Sequence, residues 1–401
     1  MITEKDVWEA LPPESADSII RKYVEYASIQ TTSPLGYHLG CGLTVLATTC
    51  PLTYGMNYAG QLRSNMFTLL VGRSGDDQKS SALGIARELL FDATEGKLIG
   101  DFPGSSEGLL DSLGRTPSQM IPMSEFGAFL AKAERGYFMP VKATMADLWD
   151  CNPQQRARAR GQNTRIENPR LSVLAACSVP YLERHSLSED WTGGFLGRWF
   201  CMYGRRERSN PDPVGDRTMF PFLSQQLRER AETPQAGYCI GLDKQAANLW
   251  SAWYHDLDRR QFAPLVAGVR SRAPTMARKI ALIYGWDYGP ARFSREWQIT
   301  IDILIPAIKA AELHIKSLSG LSDKIAEHPD ARLRRSVINA LDTCGGRASL
   351  GQLLGILKLR KRPVVETLES LLEEGRVARP QGYLNGTVYE LRAVASTAPM
   401  A

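Results

Sequence analysis

Short apolar runs of strand length alternate with helical patterns in the first half of the chain. The run Asn-Met-Phe-Thr-Leu-Leu-Val-Gly at residues 65–72 is typical of a strand buried on both faces of a parallel sheet. Similar runs occupy residues 120–126 and 171–177, although Pro122 weakens the first of these two predictions. Apolar positions at helical spacing predict helices over residues 80–91, 106–113, 126–133 and 141–149. This alternation predicts an α/β domain with a mainly parallel sheet.

Helical patterns flank the α/β region on both sides. Residues 14–50 are predicted to be helical, and helices dominate from residue 243 to residue 318. A charged, proline-rich stretch over residues 206–235 is expected to be a surface connection, and residues 319–330 a linker. We therefore expect four segments: a helical lead-in (1–60), an α/β core (61–235), a helical lid (236–320) and a C-terminal domain (329–395).

The C-terminal domain has a pattern of its own. Amphipathic helical segments over residues 331–341, 349–357 and 362–372 precede a hairpin pattern over residues 377–391, in which Asn385-Gly386 favours the turn. Three helices followed by a β-hairpin is the order of elements in a winged helix, and we predict that fold here.

The composition excludes several classes of protein. The 401 residues are 43% hydrophobic and 23% charged, which argues against a fibrous or disordered chain. No apolar run approaches the ~20 residues of a membrane-spanning helix, and the first residues lack a secretory pattern, so we expect a cytoplasmic protein without a membrane partner. Seven scattered cysteines without a C-x-x-C pair argue against a disulfide scaffold or a zinc ribbon.

A candidate phosphate-binding loop follows the first predicted strand. Residues 72–81, Gly-Arg-Ser-Gly-Asp-Asp-Gln-Lys-Ser-Ser, lead from this strand into a helix, which is the setting of a nucleotide phosphate loop. There, backbone N–H groups and the helix N-terminus hold the phosphates, a lysine reaches the β- and γ-phosphates, and a hydroxyl binds Mg²⁺. Lys79 would be the lysine and Ser80 the Mg²⁺ ligand, so ATP and Mg²⁺ are the expected cofactors. The other candidate phosphate ligands are Gly72, Ser74, Gly75 and Ser81.

The loop departs from the phosphate-loop signature G-x-x-x-x-G-K-[ST]. Arg73 and Gln78 stand where that signature has glycine. Asp76 and Asp77 add negative charge where a triphosphate would lie, which is an electrostatic objection to nucleotide binding. A plain strand-to-helix turn is the alternative interpretation.

Two polar residues follow the other predicted strands. Glu125 lies near the end of the run over residues 120–126, and its carboxylate could activate water for attack on a γ-phosphate. Ser178 follows the run over residues 171–177 and could orient the same water. The alternative for Glu125 is that it begins a helix and interacts favourably with the helix dipole.

Two arginines are candidates for phosphate contacts. Arg198 ends the segment Gly-Gly-Phe-Leu-Gly-Arg and could reach the nucleotide of a neighbouring subunit as an arginine finger. Arg278 begins an apolar helical stretch, from which a lid arginine could contact phosphate. The alternatives are a surface or salt-bridged role for Arg198 and a helix-packing role for Arg278.

The order of these motifs resembles that in a family of phage, plasmid and mobile-element P-loop proteins, which are helicase-like or primase-helicase-like replication ATPases related in plan to AAA+ ring helicases. The resemblance covers roughly residues 15–320 and rests on residues 65–75, on Ser-Glu-Phe-Gly (124–127), Asn-Pro-Arg-Leu-Ser-Val-Leu (168–174), Gly-Phe-Leu-Gly-Arg (194–198) and Arg-Lys-Ile-Ala-Leu (278–282). It implies an AAA+-like parallel-sheet domain with a helical lid. It also implies these roles: phosphate binding by Lys79 and Ser80, a Walker-B-like Glu125, an arginine finger at Arg198 and a lid arginine at Arg278.

The segment between the second and third predicted core strands is strongly basic. Alternation places Arg156, Arg158 and Arg160 on one face of a strand, residues 161–163 can turn, and Arg165 lies on the returning strand. We predict an arginine-faced hairpin that binds single-stranded DNA with a steep salt dependence. In the resembling ring helicases, a hairpin at this place projects into the central channel. A solvated basic face or a partner-binding edge is the alternative.

A second basic patch lies in the predicted winged helix. The residues expected to contact phosphates of duplex DNA are Lys358, Arg360, Lys361 and Arg362 at the entry to the recognition helix and Arg379 on the wing. Glu366 and Glu369 on the same helix would discourage deep insertion into the major groove. Docking of a protein is the alternative for this domain.

Together these features predict a DNA-acting, AAA+-like ATPase, namely a replicative helicase of a mobile element, phage or plasmid. It would assemble as a homo-oligomeric ring and move along single-stranded DNA. One alternative is a relative without ATP hydrolysis that serves as a DNA-binding adaptor, helicase loader or replication initiator; another is a winged-helix transcription regulator. The net charge of +5, from 48 Lys and Arg against 43 Asp and Glu, is by itself too small to decide.

Overall fold

The structure is a computed structural model. It describes residues 2–14, 18–50, 54–57, 60–102, 104–133, 140–156, 164–186, 190–191, 193–206, 215–233, 239–263, 266–288, 297–325, 329–373, 375–380 and 388–391. The chain forms two compact units, residues 1–323 and residues 324–401.

The first unit is a mixed α/β structure. Its helices are α1 (Glu4–Glu9), α2 (Ile19–Gln30), α3 (Leu35–Thr49), α4 (Lys79–Thr94), α5 (Ser106–Arg115), α6 (Phe126–Ala133), α7 (Val141–Trp149), α8 (Val179–His185), α9 (Phe220–Glu232), α10 (Lys244–Arg259), α11 (Ala267–Asp287) and α12 (Ile301–Ile325). Its strands are β1 (Tyr54–Asn57), β2 (Gly60–Arg63), β3 (Phe67–Gly72), β4 (Ser118–Met123), β5 (Gln154–Arg156), β6 (Thr164–Ile166), β7 (Arg170–Ser178), β8 (Trp199–Tyr203), β9 (Cys239–Leu242) and β10 (Gln298–Ile299).

Four parallel strands form the central sheet, in the order β4-β7-β3-β8. Every residue of β3 is buried, as its unbroken apolar run predicts for a strand covered on both faces. Helices α3 and α4 both contact β3 and β7. The predicted α/β fold with a mainly parallel sheet is thereby confirmed, and Pro122 lies within β4 without preventing its pairing with β7.

β8 is an edge strand of the central sheet, and backbone N–H groups on its unpaired side donate to side chains of α12. The N–H of Cys201 donates to Nδ1 of His314 at 3.0 Å, and the N–H of Tyr203 donates to the hydroxyl of Ser317 at 3.1 Å. Both acceptors are buried. α12 therefore satisfies backbone donors of a strand that would otherwise present a bare edge.

His314 should make the first unit less stable in acid. Burial lowers the pKa of His314 to about 3, and the ring is neutral while it accepts the Cys201 N–H. Because the folded-state pKa lies below the unfolded value near 6.5, the unfolded chain takes up the extra proton and stability is lost as the pH falls below 6.5. We expect a loss of about 1 kcal/mol between pH 7 and pH 5.5 from this group. Denaturant unfolding should show less of this loss in His314→Asn; equal pH profiles would contradict the expectation.

A second sheet joins parts of the first unit that the sequence placed in separate segments. Its strand order is β10-β9-β1-β2, in which β1 pairs with β2 antiparallel and with β9 parallel. The sheet joins residues 54–63 to residues 239–299 and so crosses the predicted boundaries after residues 60 and 235. The lead-in, core and lid are parts of one compact unit.

Two stretches predicted as connections contain helix. α9 lies within residues 206–235 and buries Leu223, Leu227 and Arg230, which share one helical face. This face explains its contacts with α2 and α4. α12 continues to Ile325, so residues 319–325 are helix rather than linker. In both places the prediction of a connection followed the charge and proline content, although apolar residues at helical spacing were also present in the sequence.

The second unit contains helices and an antiparallel sheet. Its elements are α13 (Pro329–Thr343), β11 (Arg347–Ser349), α14 (Leu350–Leu357), α15 (Lys361–Glu373), β12 (Val377–Ala378) and β13 (Val388–Leu391). The strand order is β11-β13-β12, so the two sides of the predicted hairpin pair with each other, and β11 is an additional strand. None of the helices in the ranges given above is both long enough and apolar enough to cross a membrane.

Candidate functional site

The carboxyl ends of the four parallel strands meet along one side of the central sheet, which we call the carboxyl edge. β3 ends at Gly72, which lies opposite Ser178 at the end of β7. Glu125 lies two residues beyond the last residue of β4, and Gly204 directly follows β8. Ligands of open parallel sheets bind at this edge. We call the opposite side the amino edge.

The turn between β3 and α4 holds a left-handed residue directly before the helix. Gln78 has φ 46° and ψ 38°, a conformation that glycine adopts most readily and that the phosphate-loop signature fills with glycine. The hydroxyl of Ser33 donates to the carbonyl of Gln78 at 2.9 Å, and the N–H of Thr32 donates to its side-chain oxygen at 3.1 Å. These two contacts hold Gln78 in place at the start of α4.

The N-terminus of α4 is available to an anion. The helix is 16 residues long, and Gln78 supplies no side-chain cap. The N–H of Ser81 donates to the carbonyl of Gln78, whereas those of Lys79 and Ser80 have no partner within the helix. The helix dipole adds positive potential at this end. The side chains at this surface are exposed, and they belong to Ser74, Ser80 and Ser81, with Gly75 also exposed.

The carboxylate of Asp77 occupies the inner side of the turn. It accepts the N–H of Arg73 at 2.5 Å, the N–H of Arg206 at 2.9 Å and the guanidinium of Arg73 at 3.2 Å. Burial alone would raise the pKa of Asp77, but these hydrogen bonds and the Arg73 charge outweigh burial and hold the pKa below its usual value. Asp77 is therefore an internal anion, bound as a phosphate oxygen would be bound.

Gly72 makes room for this arrangement. A Cβ atom at Gly72 would lie 2.2 Å from the hydroxyl of Tyr37 and 2.8 Å from a carboxylate oxygen of Asp77. Tyr37 in turn donates its hydroxyl to the carbonyl of Val71 at 2.7 Å. Asp76 differs from Asp77, since its side chain is 60% exposed and pairs with Arg73 at 3.2 Å. The two aspartates of the predicted loop therefore have different environments.

Lys79 lies at the centre of the carboxyl edge. Its ammonium donates to the carbonyl of Arg73 at 2.6 Å and to that of Gly72 at 3.3 Å. Burial lowers the pKa of Lys79, and the charges of nearby Asp77 and Glu125 offset part of this effect. Glu125 follows β4 at the same carboxyl edge, and its negative charge acts on the pKa of Lys79 in the same direction as that of Asp77.

Glu125 and Ser178 both reach the carboxyl edge. Glu125 is exposed and directly precedes α6, so the helix-dipole interpretation of the sequence remains compatible with its position. Ser178 precedes α8, and its hydroxyl makes no capping hydrogen bond to that helix. The structure thus brings together Gly72, Lys79, Glu125 and Ser178.

A small cleft, with about 30 Å³ available to the centres of water molecules, lies beside the turn. Its lining includes Thr32 and Ser33, which hold Gln78, and Tyr37, which packs against Gly72. Val7 and Arg205 also line it. The turn and the cleft therefore share a wall.

Two arginines at the carboxyl edge were missed by the sequence analysis. Arg205 and Arg206 follow β8 and are exposed, and the N–H of Arg206 binds Asp77. The signal was present, because an apolar run ending in glycine and arginine (Tyr203-Gly-Arg-Arg) repeats the pattern of the loop strand (Val71-Gly-Arg).

Arg198 lies at the amino edge. It is the last residue of a 3-10 turn, Leu196–Arg198, that leads into β8. Its side chain is only 13% exposed, donates to the carbonyl of Gly194 at 2.9 Å and forms an ion pair with Asp150 at 3.5 Å. The salt-bridged interpretation fits these contacts, and the finger role in a second subunit stays a prediction.

Arg278 also lies away from the loop of its own chain. Its guanidinium stacks on Trp250 of α10, 4.5 Å from the ring centroid. The next residue, Lys279, donates to the backbone carbonyl of Asn65, two residues before β3. β3 has six residues and spans about 20 Å, so this part of α11 is a strand length from Gly72. The helix-packing interpretation fits these contacts at the amino edge, and the lid-arginine role of Arg278 stays a prediction.

The basic segment forms an antiparallel hairpin stem. Arg156 pairs with Thr164, and Gln155 pairs with Arg165. The Arg165 side chain is 72% exposed and lies 3.2 Å from the carboxylate of Glu167. Residues 157–163, including Arg158 and Arg160, lie outside the described residues.

The basic residues predicted to bind duplex DNA are exposed in the second unit. They are Lys358, Arg360, Lys361, Arg362 and Arg379. Arg362 donates to the carboxylate of Glu366 at 2.8 Å, which neutralises part of its charge. Ile356 and Leu359, close to them in sequence, are 49% and 47% exposed. The patch therefore mixes positive charge with apolar surface, and the protein-docking alternative stays open.

The two edges of the central sheet thus differ in their chemistry. The carboxyl edge combines Lys79, an uncapped helix start and Glu125, whereas the amino edge holds buried or half-buried arginines and the basic hairpin stem. No protein-family model matches this chain and no curated protein is significantly similar to it, so these two edges themselves carry the functional argument.

Proposed function

We propose that the first unit binds ATP with Mg²⁺ at the carboxyl edge and hydrolyses it to act on DNA, as a replicative helicase of a mobile element, phage or plasmid. The observation that carries this proposal is the position of Lys79. Its ammonium lies at the start of an uncapped helix, at the carboxyl edge of a parallel sheet, with the Glu125 carboxylate in electrostatic range. This combination suits a polyphosphate and a water that must lose a proton.

Each residue has a role that its chemistry supports. Lys79 would contact the phosphate oxygens, and the exposed hydroxyl of Ser80 would bind Mg²⁺. Bound ATP supplies the phosphoanhydride bond that is broken. Glu125 would accept the proton of the attacking water, and Ser178, opposite Gly72 in the sheet, would orient that water.

Basic surfaces support DNA as the partner. The hairpin stem presents Arg165 to solvent, and the second unit presents five exposed basic residues. We interpret the second unit, with helices, a paired hairpin and a third strand, as a winged helix. A homo-oligomeric ring would let one chain contribute groups to the nucleotide of the next.

The hydrogen bonds of the Asp77 carboxylate favour a second candidate function, DNA binding without ATP hydrolysis. Because this carboxylate already holds the N–H groups of Arg73 and Arg206, an ATP phosphate would have to displace it to use them. A chain in which Asp77 stays in place would act on DNA without hydrolysis, as an adaptor, helicase loader or initiator. Nucleotide binding separates the two candidates.

Binding of a non-hydrolysable ATP analogue tests the proposal. We expect the wild-type chain to bind it in the presence of Mg²⁺ and Lys79→Ala to bind it about tenfold more weakly, since a hydrogen bond to a charged group is worth roughly 1.5–3 kcal/mol. Lys97→Ala is the matched control, because Lys97 is exposed and lies just beyond the far end of α4. Titration calorimetry measures both. Equal affinities in the two variants, or no binding by the wild type, would overturn the nucleotide site.

A further inference from the structure

Two arginine side chains converge at the amino edge beside Gly194. A Cβ atom on Gly194 would lie 3.6 Å from Nη1 of Arg198 and 3.8 and 3.9 Å from Nε and Nη2 of Arg272. Gly194 has a positive φ of 79° and no side chain, so both guanidinium groups can approach its backbone. We call this group of residues the arginine pair.

The arginine pair carries more positive charge than its surroundings balance. Asp150 lies 3.5 Å from Arg198, and among the described residues the Arg272 guanidinium forms no ion pair or hydrogen bond. The buried ammonium of Lys279 lies over the Trp149 ring, 4.5 Å from its centroid, so three cations face one carboxylate. Burial lowers the pKa of Arg272, and the neighbouring charge of Arg198 lowers it further. Like charges held together in a half-buried place favour the binding of an anion.

An aromatic platform holds the two side chains in position. The guanidiniums of Arg198 and Arg272 lie 5.8 and 5.9 Å from the ring centroid of Trp149, which is fully buried. Cation–π contacts of this kind fix the planes of guanidinium groups, and fixed planes present paired N–H donors to a phosphate. In addition, Nε of Arg198 is buried without a hydrogen-bond partner. The two guanidinium groups are therefore held in place beside Gly194.

The arginine pair is close to the basic hairpin. Asp150 precedes β5 by four residues, and a chain of four residues spans at most about 14 Å. The strand β5 pairs with β6, which carries the exposed Arg165. A phosphodiester strand that follows the hairpin stem can therefore reach the pair within a few nucleotides. Lys79, which would contact the phosphates of ATP, lies about one strand length, roughly 20 Å, away at the other end of β3.

We propose that Arg198 and Arg272 form a phosphate site for the backbone of single-stranded nucleic acid that enters along the basic hairpin. This inference rests on the proposed action on DNA and assigns a binding role to Arg272, which no sequence motif indicated. Asp150 acts against it by neutralising part of the site.

The salt dependence of oligothymidine binding tests this site. For the full chain and a labelled 20-mer, we expect Arg272→Gln to weaken binding about three- to tenfold at 0.1 M salt. The slope of log affinity against log salt should become smaller by about 0.7, the value for one lost single-strand phosphate contact. Arg270→Gln is the matched control, because Arg270 is two residues earlier on the same helix and pairs with Asp258 at 3.8 Å. Its slope should equal that of the wild type.

A second variant has the opposite expected effect. Asp150→Asn removes the carboxylate beside Arg198 and should tighten binding of the same oligonucleotide, which a merely structural role of Asp150 would not do. Unchanged slopes in Arg272→Gln, or weaker binding by Asp150→Asn, would overturn the proposal. If Arg272→Gln instead left strand binding intact and lowered ATP turnover in a way that depends on protein concentration, the pair would serve the nucleotide of a second copy and the proposal would be wrong. Strand binding is measured without ATP, so failure of the nucleotide site leaves this test unaffected.

Discussion

Replacement of Glu125 by glutamine is expected to lower ATP turnover by about 10²- to 10⁴-fold while the ATP analogue still binds. Glutamine keeps the shape of the side chain but cannot accept the proton of an attacking water, and a general base contributes an effect of this size. Glu125 is exposed at the carboxyl edge and, among the described residues, its side chain forms no hydrogen bond or ion pair with Lys79 or with the turn before α4, so its replacement leaves the proposed phosphate contacts in place. Turnover in the presence of single-stranded DNA, together with calorimetric binding of the analogue, measures the two effects separately.

Glu95→Gln serves as the matched control for this experiment. It removes the same charge at the far end of α4, which is about 24 Å from Lys79 because the helix has 16 residues. Its turnover should equal that of the wild type. Turnover that is equally low in both variants would show a general electrostatic effect, and turnover retained in Glu125→Gln would remove Glu125 from the reaction.

The strands of the central sheet were largely predictable because they are buried on both faces. β3, β4 and β7 appear in the sequence as apolar runs, and the glycine and polar residues that end them mark the carboxyl edge. β8 was missed although its run from Trp199 to Tyr203 is of the same kind and ends in the same Gly-Arg pattern as β3. A comparison of strand ends within the sequence would have found it, and with it Arg205 and Arg206.

The second sheet could not be predicted in the same way. β1 pairs with β9, and β9 with β10, over sequence separations of more than 50 residues. These strands are only two to four residues long, which is too short to show an alternation of apolar and polar residues. Their pairing partners are distant in sequence and therefore cannot be identified from a local pattern. The predicted lead-in, core and lid therefore seemed separable when they share a sheet.

The partners of charged side chains were also invisible in the sequence. Arg198 forms an ion pair with the carboxylate of Asp150, and Arg278 stacks on the ring of Trp250. In each case the fold brings together residues that are distant in sequence. An arginine after a glycine-rich turn has the same local pattern whether it faces another subunit or packs within its own. Both alternatives for these residues are compatible with the local sequence, and only the fold shows which side chains meet.

Asp77→Asn is expected to raise the affinity for the ATP analogue about tenfold to hundredfold. The substitution removes the negative charge that now binds the N–H groups of Arg73 and Arg206, and it releases the Arg73 guanidinium. Hydrogen bonds to a charged group are worth roughly 1.5–3 kcal/mol, and 1.4 kcal/mol corresponds to tenfold in affinity. A phosphate could then use the donors that Asp77 now occupies.

The same substitution should make the protein less stable. Through the N–H of Arg206, Asp77 links the loop to the segment after β8, 129 residues away in sequence. The Asp77 side chain is fully buried, so water does not replace the hydrogen bonds that the substitution weakens. We expect a loss of about 1–3 kcal/mol in the free energy of unfolding at neutral pH. Added ATP analogue should restore more stability in the variant than in the wild type, because tighter binding stabilises the folded state more.

Asp76→Asn distinguishes local occupation from general repulsion. Asp76 precedes Asp77, carries the same charge and is 60% exposed, with an ion pair to Arg73 at 3.2 Å. If the carboxylates only repel the triphosphate through space, the two variants will gain affinity to a similar extent. If Asp77 competes for the same N–H donors, the gain will belong to Asp77→Asn, since only its carboxylate accepts the N–H groups of Arg73 and Arg206. A loss of affinity in Asp77→Asn would instead mean that its carboxylate supports the loop in a binding-competent shape.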